Sequence, residues 1–422
     1  MSYRGIAEGY QARLNTTYSV AFPEFATVKY QPYEVTIHQE ERSHDVAILK
    51  YQLMTNFFFD ALKTGTAVSI DWVNNPKARG QFIGHVVKVK RIRAAQLEQG
   101  VEVHCIASSF PLKETKSNTW KNKTASEIVA DIGKQTKLKT VITPHPARFT
   151  QISMYGQSYW EFLNELAFKI GYVLYVKNAT IYFQDVDEVM DQQSGLIPLL
   201  NFEVEYAPPF HAPIERTLDT FEPTVSDFIE DDDQPRRSTK LLSAVDPVSA
   251  KVVSTTKTPQ TTKALRKNQS PVIFNDNTSL DVSNSKMFAD TLAQGKADRS
   301  RLTIPANFSG QGDPRITPYG VVEVSGVDET SDGFWLVRSV THTLNKVGSY
   351  QCSGVLVTDG RGLNAQSSRR KEAGGVPVLN LTNRNNKAPI TRPKKATLTK
   401  STFTYSKSKS GFGANKQTWK AG

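Results

Sequence analysis

Gln157-Ser-Tyr-Trp-Glu-Phe-Leu-Asn-Glu-Leu-Ala-Phe-Lys-Ile-Gly-Tyr-Val-Leu-Tyr-Val-Lys-Asn-Ala-Thr-Ile-Tyr-Phe183 is the stretch on which the reading of this chain turns. Ser158 followed three residues later by Glu161 is a capping box, in which hydroxyl and carboxylate each satisfy a backbone N–H that a helix start leaves open. Phe162, Leu163, Leu166, Ala167 and Ile170 recur at helical spacing, and Gly171 stands where a helix commonly stops. Two short strands are predicted next, Tyr172 to Val176 and Thr180 to Phe183, turning at Lys177-Asn178, where Asn tolerates a left-handed conformation. The product is a helix with a hairpin, and no catalytic group is part of its design.

The flanking sequence is mostly β in pattern. Tyr33 to His38 and Asp45 to Tyr51 read as a hairpin around a polar tip, and Phe57, Phe58, Phe59, Ala61 and Leu62 as a short helix ending before Gly65. Ala67 to Trp72, Phe82 to Ile92 and Val101 to Ser108 then alternate as an antiparallel meander. A second capping box, Thr124 with Glu127, opens a helix carrying Ile128, Val129 and Ile132, and a strand is predicted at Thr140 to Ile142. Phe202, Val204 and Tyr206 alternate within 198–218. Glu230-Asp-Asp-Asp233 and the Thr/Lys/Gln-rich run from Ser254 to Ser270 have little to bury, which predicts extended or mobile connections. A helix is expected from about Ser283 to Ser300.

Val321 to Val327, Phe334 to Leu344 and Tyr350 to Val357 form a second three-strand meander, and the two look like one pattern used twice. Gly65 leads into Val68-x-Ile70 as Gly320 leads into Val322-x-Val324. Phe82 and Phe334 open the middle strands, and each closing strand carries a Cys on its apolar face. The fold class expected is α+β, mostly β, with two similar antiparallel β-barrel domains flanking an α/β insertion module. The expected boundaries are 1–110, 111–197, 198–365 with a long loop or linker around 221–283, and 366–422 as a basic, disordered arm.

Charge is distributed in the same modular way. The chain of 422 residues carries +11. From Gln366 onward there are thirteen Lys and Arg against one acid, Glu372, so the tail holds +12 and the remainder −1. A basic tail on a neutral body differs from a basic binding domain, which argues against a dedicated nucleic-acid-binding protein. The tail's aromatics, Phe403, Tyr405, Phe412 and Trp419, would suit single-stranded nucleic acid, or an arm that orders on an acidic protein surface. A hydrophobic content of 38% is low for one compact enzyme. No apolar run is long enough to span a membrane, and Met1-Ser-Tyr-Arg-Gly-Ile-Ala-Glu lacks the apolar core of a signal peptide. Synthesis and retention in a cytoplasm until assembly are therefore expected.

Little in the sequence suggests catalysis. Cys105 and Cys352 sit on apolar strand faces and read as small buried hydrophobes; the alternative, a disulfide between them, is disfavoured in a cytoplasm. The histidines at 38, 44, 85, 104, 145, 211 and 342 show no metal-ligand spacing, and structural roles are favoured. Glu161 is accounted for by the cap, and Glu165, one turn on, reads as solvated. The Glu230–Asp233 run reads as a solvated loop before a metal loop. No catalytic, cofactor-binding or metal residue is assigned, and no cofactor is implied.

The Trp160 module resembles one found in central hub proteins of phage tails and in the related hub region of type VI secretion spike proteins. There, Ser or Asp before Trp-Glu-Phe-Leu opens a helix, and Gly-Tyr with an aromatic hairpin closes it. The run from Pro318-Tyr-Gly320 through Val321-Val-Glu-Val-Ser-Gly326, Gly333-Phe-Trp-Leu-Val337, Val340-Thr-His342 and Tyr350 also resembles that family's C-terminal barrel, so the likeness spans most of 27–358 and stops before the tail. It implies a late-control-protein-D-like homotrimeric hub of a tail tip or baseplate, made in the host cytoplasm and placed at the distal end of the virion tail. Two barrels per chain would adapt a sixfold tube to a threefold spike or tip and leave a channel through which DNA passes without sequence-specific binding. Exposed strand edges would pair between subunits. The implied partners are tail-tube or distal tail proteins, the central spike or tip, the tape measure protein as a further candidate, and an acidic tail-protein surface for the basic arm; no stable membrane insertion is implied. Trp160, Phe162, Leu166 and Trp335 are expected to act as core. The alternatives are a wall-degrading or wall-binding tail protein and a secretion-system spike hub.

Overall fold

The computed structural model describes residues 16–25, 31–52, 62–75, 78–94, 97–146, 148–191, 197–202, 217–224, 238–245, 252–259, 265–269, 274–279, 286–328, 331–364, 406–408 and 416–418. The expected helix at 57–62 therefore lies outside the described residues except for Leu62, which is buried. Val204, Tyr206, His211, the Glu230–Asp233 run and nearly all of the basic tail also lie outside them.

The first half is built from β1 (Thr17–Ala21), β2 (Glu34–Glu40), β3 (Val46–Gln52), β4 (Ala67–Asn75), β5 (Ala78–Ala94) and β6 (Leu97–Ala107). Their order across the sheet is β1-β4-β5-β6-β3-β2, antiparallel throughout. Period-two alternation sends Val35 and Ile37 of β2, Ala47, Leu49 and Tyr51 of β3, and Val101, Val103 and Cys105 of β6 into one core.

The insertion follows: β7 (Thr115–Thr124), α1 (Ala125–Thr136), β8 (Lys139–Ile142), β9 (Arg148–Ser158), α2 (Tyr159–Ile170), β10 (Tyr172–Lys177), β11 (Thr180–Asp185) and α3 (Val186–Asp191). Both capping boxes form. Thr124 Oγ1 accepts from Glu127 N–H (3.2 Å) while the Glu127 carboxylate accepts from Thr124 N–H (2.8 Å). Ser158 and Glu161 repeat the arrangement at 3.2 and 2.8 Å. α2 stops at Gly171, with φ of 77°. β10 and β11 pair as a hairpin, and β8 joins β11 in parallel. The turn residues are Asn178 and Ala179, both at positive φ, one position later than the sequence suggested. Trp120 of β7 stacks on Phe162 at 5.1 Å, one contact among many in a core that includes Ile128, Trp160 and Leu166.

The second half comprises β12 (Leu199–Asn201), β13 (Leu218–Pro223), β14 (Ser238–Val245), β15 (Val252–Lys257), β16 (Arg266–Gln269), β17 (Phe274–Ser279), α4 (Lys286–Arg299), β18 (Ile304–Gln311), β19 (Val321–Ser325), β20 (Gly333–Asn345), β21 (Tyr350–Thr358) and β22 (Gly360–Asn364). The stretch from 221 to 283, expected as extended or mobile connections in a long loop or linker, contains among its described residues a three-stranded sheet ordered β15-β14-β17 that packs on α4. Its polar composition hid this. Thr255 and Lys257 are tied to Asp290 of α4, the latter pair at 3.4 Å, and Ala289, Leu292 and Ala293 supply the buried side of the helix.

In the second half the sheet order is β19-β20-β21-β18-β13, with β12 added in parallel to β19. In the first it is β4-β5-β6-β3-β2. Numbered along the chain, each set runs third, fourth, fifth, second, first, so the two meanders are the same topology used twice. Paired positions refine the match: Val68 faces Gly84 as Val322 faces Trp335, so the counterpart of Phe82 is Gly333 and not Phe334. The two halves are also joined edge to edge. β2 pairs with β20, so one 12-stranded sheet and one core run through both. Residues 384–422 form a second unit, in which Ser406–Ser408 pairs with Lys416–Thr418.

α2 and α4 meet backbone to backbone. A Cβ on Gly295 would lie 2.3 Å from the Ile170 carbonyl oxygen, and one on Gly171 would lie 2.4 Å from Gly295. Gly295→Ala and Gly171→Ala should each lower unfolding free energy by about 1–3 kcal/mol. Gly156→Ala, at positive φ but in open space, should cost only about 1 kcal/mol, as should Ser158→Ala through the lost cap. Urea unfolding of the four variants checks the ranking; a silent Gly295→Ala would mean the helices do not touch.

Candidate assembly joint

The joint between the halves starts as backbone. β2 and β20 pair at seven positions, from Glu34 with Asn345 to Glu40 with Ser339. The ladder is extended at both ends, by Glu41 N–H donating to Arg338 O and Lys346 N–H donating to Tyr33 O, each at 2.9 Å. On the outer face His38 Nδ1 lies 2.9 Å from Thr341 Oγ1. At the end of β2, the Glu41 carboxylate accepts from Arg338 Nε at 3.3 Å and from the Arg299 guanidinium. Arg299 comes from α4 and also donates to Tyr172 O at 2.8 Å. One half-buried carboxylate thus ties together the first half, the second half and the insertion.

Beneath the sheet, polar groups cross from one half to the other. Trp72 Nε1–H of β4 donates to the Tyr350 hydroxyl of β21 at 3.1 Å. That hydroxyl lies 2.8 Å from His342 Nδ1, and Cys352 Sγ lies 3.0 Å from the same nitrogen. The hydroxyl and the thiol both converge on Nδ1, and burial holds the imidazole down to about 4, which keeps His342 neutral. Burial also pushes both thiols up to about 12, so Cys105 and Cys352 stay protonated and inert.

Where the insertion meets the sheet, His44 stacks on Trp160 with centroids 4.2 Å apart, and its Nδ1 lies 2.8 Å from Ser109 Oγ. A crevice of about 500 Å³ opens beside this pair, lined in part by Asp45, Arg79, Tyr175 and Arg315. Asp45 accepts from Gln39 at 2.8 Å, and burial pushes its carboxyl up to about 6. No group here is placed as a nucleophile with an adjacent base, and among the described residues no cluster of three or more His, Cys, Asp or Glu could hold a metal.

The residues named from sequence divide in two. Trp160, Phe162 and Leu166 are buried in the insertion core, and Trp335 is buried in the core of the main sheet. Glu161 caps α2 and Glu165 is exposed. Sequence reading missed Glu41, Arg299, Arg338, Trp72 and Tyr350. The only available signal was the aromatic content of otherwise ordinary strands, since the partners lie hundreds of residues apart.

Tyr350→Phe leaves the Trp72 and His342 groups buried without their shared partner and should cost about 1–3 kcal/mol. Acidification should also destabilise the fold. Burial holds His342, His145 and His44 each down to about 4, the last helped by Lys113, so the unfolded chain takes up protons first as pH falls from about 6.5 towards 4. Asp45 acts in the opposite sense below about 6, because there the folded state binds the extra proton. Three groups against one should leave the protein less stable at pH 5 than at pH 7 in urea unfolding; equal stability would contradict the burial of these imidazoles.

No protein-family model matches the chain, and no curated protein matches it. Its fold does have matches among solved structures. The 43 kDa tail protein of prophage MuSo2 from Shewanella oneidensis aligns with TM-score 0.56 and 14% identity over 82% of this chain and 98% of its own. A tail protein from Neisseria meningitidis MC58 aligns with TM-score 0.57 and 11% identity over 82% of this chain and 97% of its own. At this identity the likeness is one of fold: this chain has the fold of phage tail proteins.

Proposed function

We propose that this chain is the structural hub of a phage tail tip or baseplate. Three copies would form a ring that presents six similar faces to the tail tube and three to a central spike or tip, with a channel left for DNA. The observation that carries this reading is the duplication. Each chain contributes the same five-strand topology twice within one continuous sheet, which is what a trimer needs to meet a sixfold neighbour. The fold shared with phage tail proteins supports it.

In this reading the protein works mechanically. The Glu41 node and the β2–β20 ladder fix the angle between halves, and the insertion is bolted to both. Partners would be tube or distal tail proteins above, a spike or tip below, and an acidic tail surface for the +12 arm. Catalysis is not part of the proposal: of the carboxylates weighed from sequence, Glu161 caps a helix and Glu165 lies on an exposed helix face, while the Glu230–Asp233 run lies outside the described residues.

Light scattering on the purified protein tests the assembly. The expected mass is three times the 47.0 kDa chain. A chain that stays monomeric at every concentration would contradict the proposal.

A further inference from the structure

The two halves can be aligned position by position, because each carries a bulge at the same place. The β5–β6 register slips between Val86 and Lys88, and the β20–β21 register slips between Val337 and Ser339. With the bulges matched, Lys88 corresponds to Ser339, Lys90 to Thr341 and Ile92 to Thr343. The matching of β3 with β18 then sets Thr36 of β2 against Glu222 of β13, and His38 against Thr224.

This alignment exposes an asymmetry in how the edges are used. β19 leaves β20 at Leu336, and β2 takes over the same edge from Ser339 to Asn345. β4 likewise leaves β5 at His85, yet no described strand of this chain takes over the edge beyond it. At the far end of the sheet β13, the counterpart of β2, pairs only with β18 among the described strands. The chain contains the strand and the edge, at opposite ends of one sheet.

We infer that β13 of one copy pairs with β5 of the next, in the register that β2 adopts on β20. This rests on the ring reading and specifies its contact. The pairing is antiparallel and head to tail, so each copy gives one edge and receives another, and a threefold rotation closes the set. Glu222 then lies opposite Ile92, and Thr224 opposite Lys90.

Charge and exposure fit this occupant. Lys88, Lys90 and Ile92 are exposed, in the run Lys88-Val-Lys-Arg-Ile-Arg93. Glu222 and Thr224 are exposed on the opposing strand, and the sequence continues with Asp227, Glu230, Asp231, Asp232 and Asp233. A basic edge meeting an acidic one favours the heterologous contact over either edge pairing with itself. Thr224 N–H donates to Pro305 O, so backbone groups of even-numbered β13 residues face β18 and those of Phe221 and Pro223 face outward. Pro223 supplies no donor there, which discourages indiscriminate pairing while its carbonyl still accepts.

Cysteine cross-linking tests the register. Glu222 and Ile92 would form a non-hydrogen-bonded pair, with Cα atoms about 4.5 Å apart and within disulfide reach. Under mild oxidation the E222C/I92C double variant should run as a cross-linked three-chain species on a non-reducing gel. The E222C/K88C variant, four residues out of register, should not. The native Cys105 and Cys352 are buried and should not contribute. A trimer by light scattering without the Glu222–Ile92 link overturns the strand assignment and leaves the ring standing. A chain that remains monomeric overturns both, and a link at Lys88 in place of Ile92 overturns the register.

Discussion

The β2–β20 ladder is the contact on which the rest depends, because it makes two copies of one topology into a single body. Seven backbone-paired positions set the angle, but the core fixes the register. Val35 and Ile37 of β2 are fully buried beside Val340, His342 and Leu344 of β20, while Glu34, Thr36 and His38 face outward. A slip of one residue would move every β2 side chain to the wrong face and drive Glu34 and His38 into the core. The Trp72–Tyr350–His342 network adds directional bonds that only one arrangement satisfies. Hydrophobic burial holds the halves together, and the polar network selects how they meet.

The insertion plays a different part. Its own core around Trp160, Phe162 and Ile128 takes in Leu292 and Ala293 of α4, and a second apolar cluster packs Val173 and Val186 against Tyr319, Val321, Phe334 and Leu336 of the main body. Directional contacts are added by the His44–Trp160 stack, the Arg299 link to Tyr172 and Glu41, and the glycine crossing of α2 on α4. Arg42 and Arg299 flank the half-exposed Phe168 ring at 4.9 and 5.7 Å, adding attraction along the same seam. Such a seam resists bending because apolar packing and directional contacts act on the same joint.

What could be read from sequence follows from how local each signal is. Both capping boxes, the Gly171 stop and the alternating meanders depend on residues a few positions apart, and all appear as read. β7 and β9 were missed because their side chains are mostly polar and solvent-facing, with only a few such as Trp120, Phe149 and Met154 turned inward. The β14–β15–β17 sheet was missed for the same reason. The fusion of the two halves has no local signature at all: His38 and Thr341 touch across 303 residues of chain. Duplication was visible as a likeness between meanders, but its proof is a strand order, and strand order is a long-range property.

In the proposed assembly one chain presents the same unit twice, held at a fixed angle, so that three chains close into a sixfold-like ring. A three-dimensional image reconstruction of the purified particle tests this most directly. The expected particle is a threefold ring of six similar β-lobes around an open channel, alternating between within-chain and between-chain joints. A particle whose two halves are splayed apart, or whose lobes do not close into a ring, would contradict it.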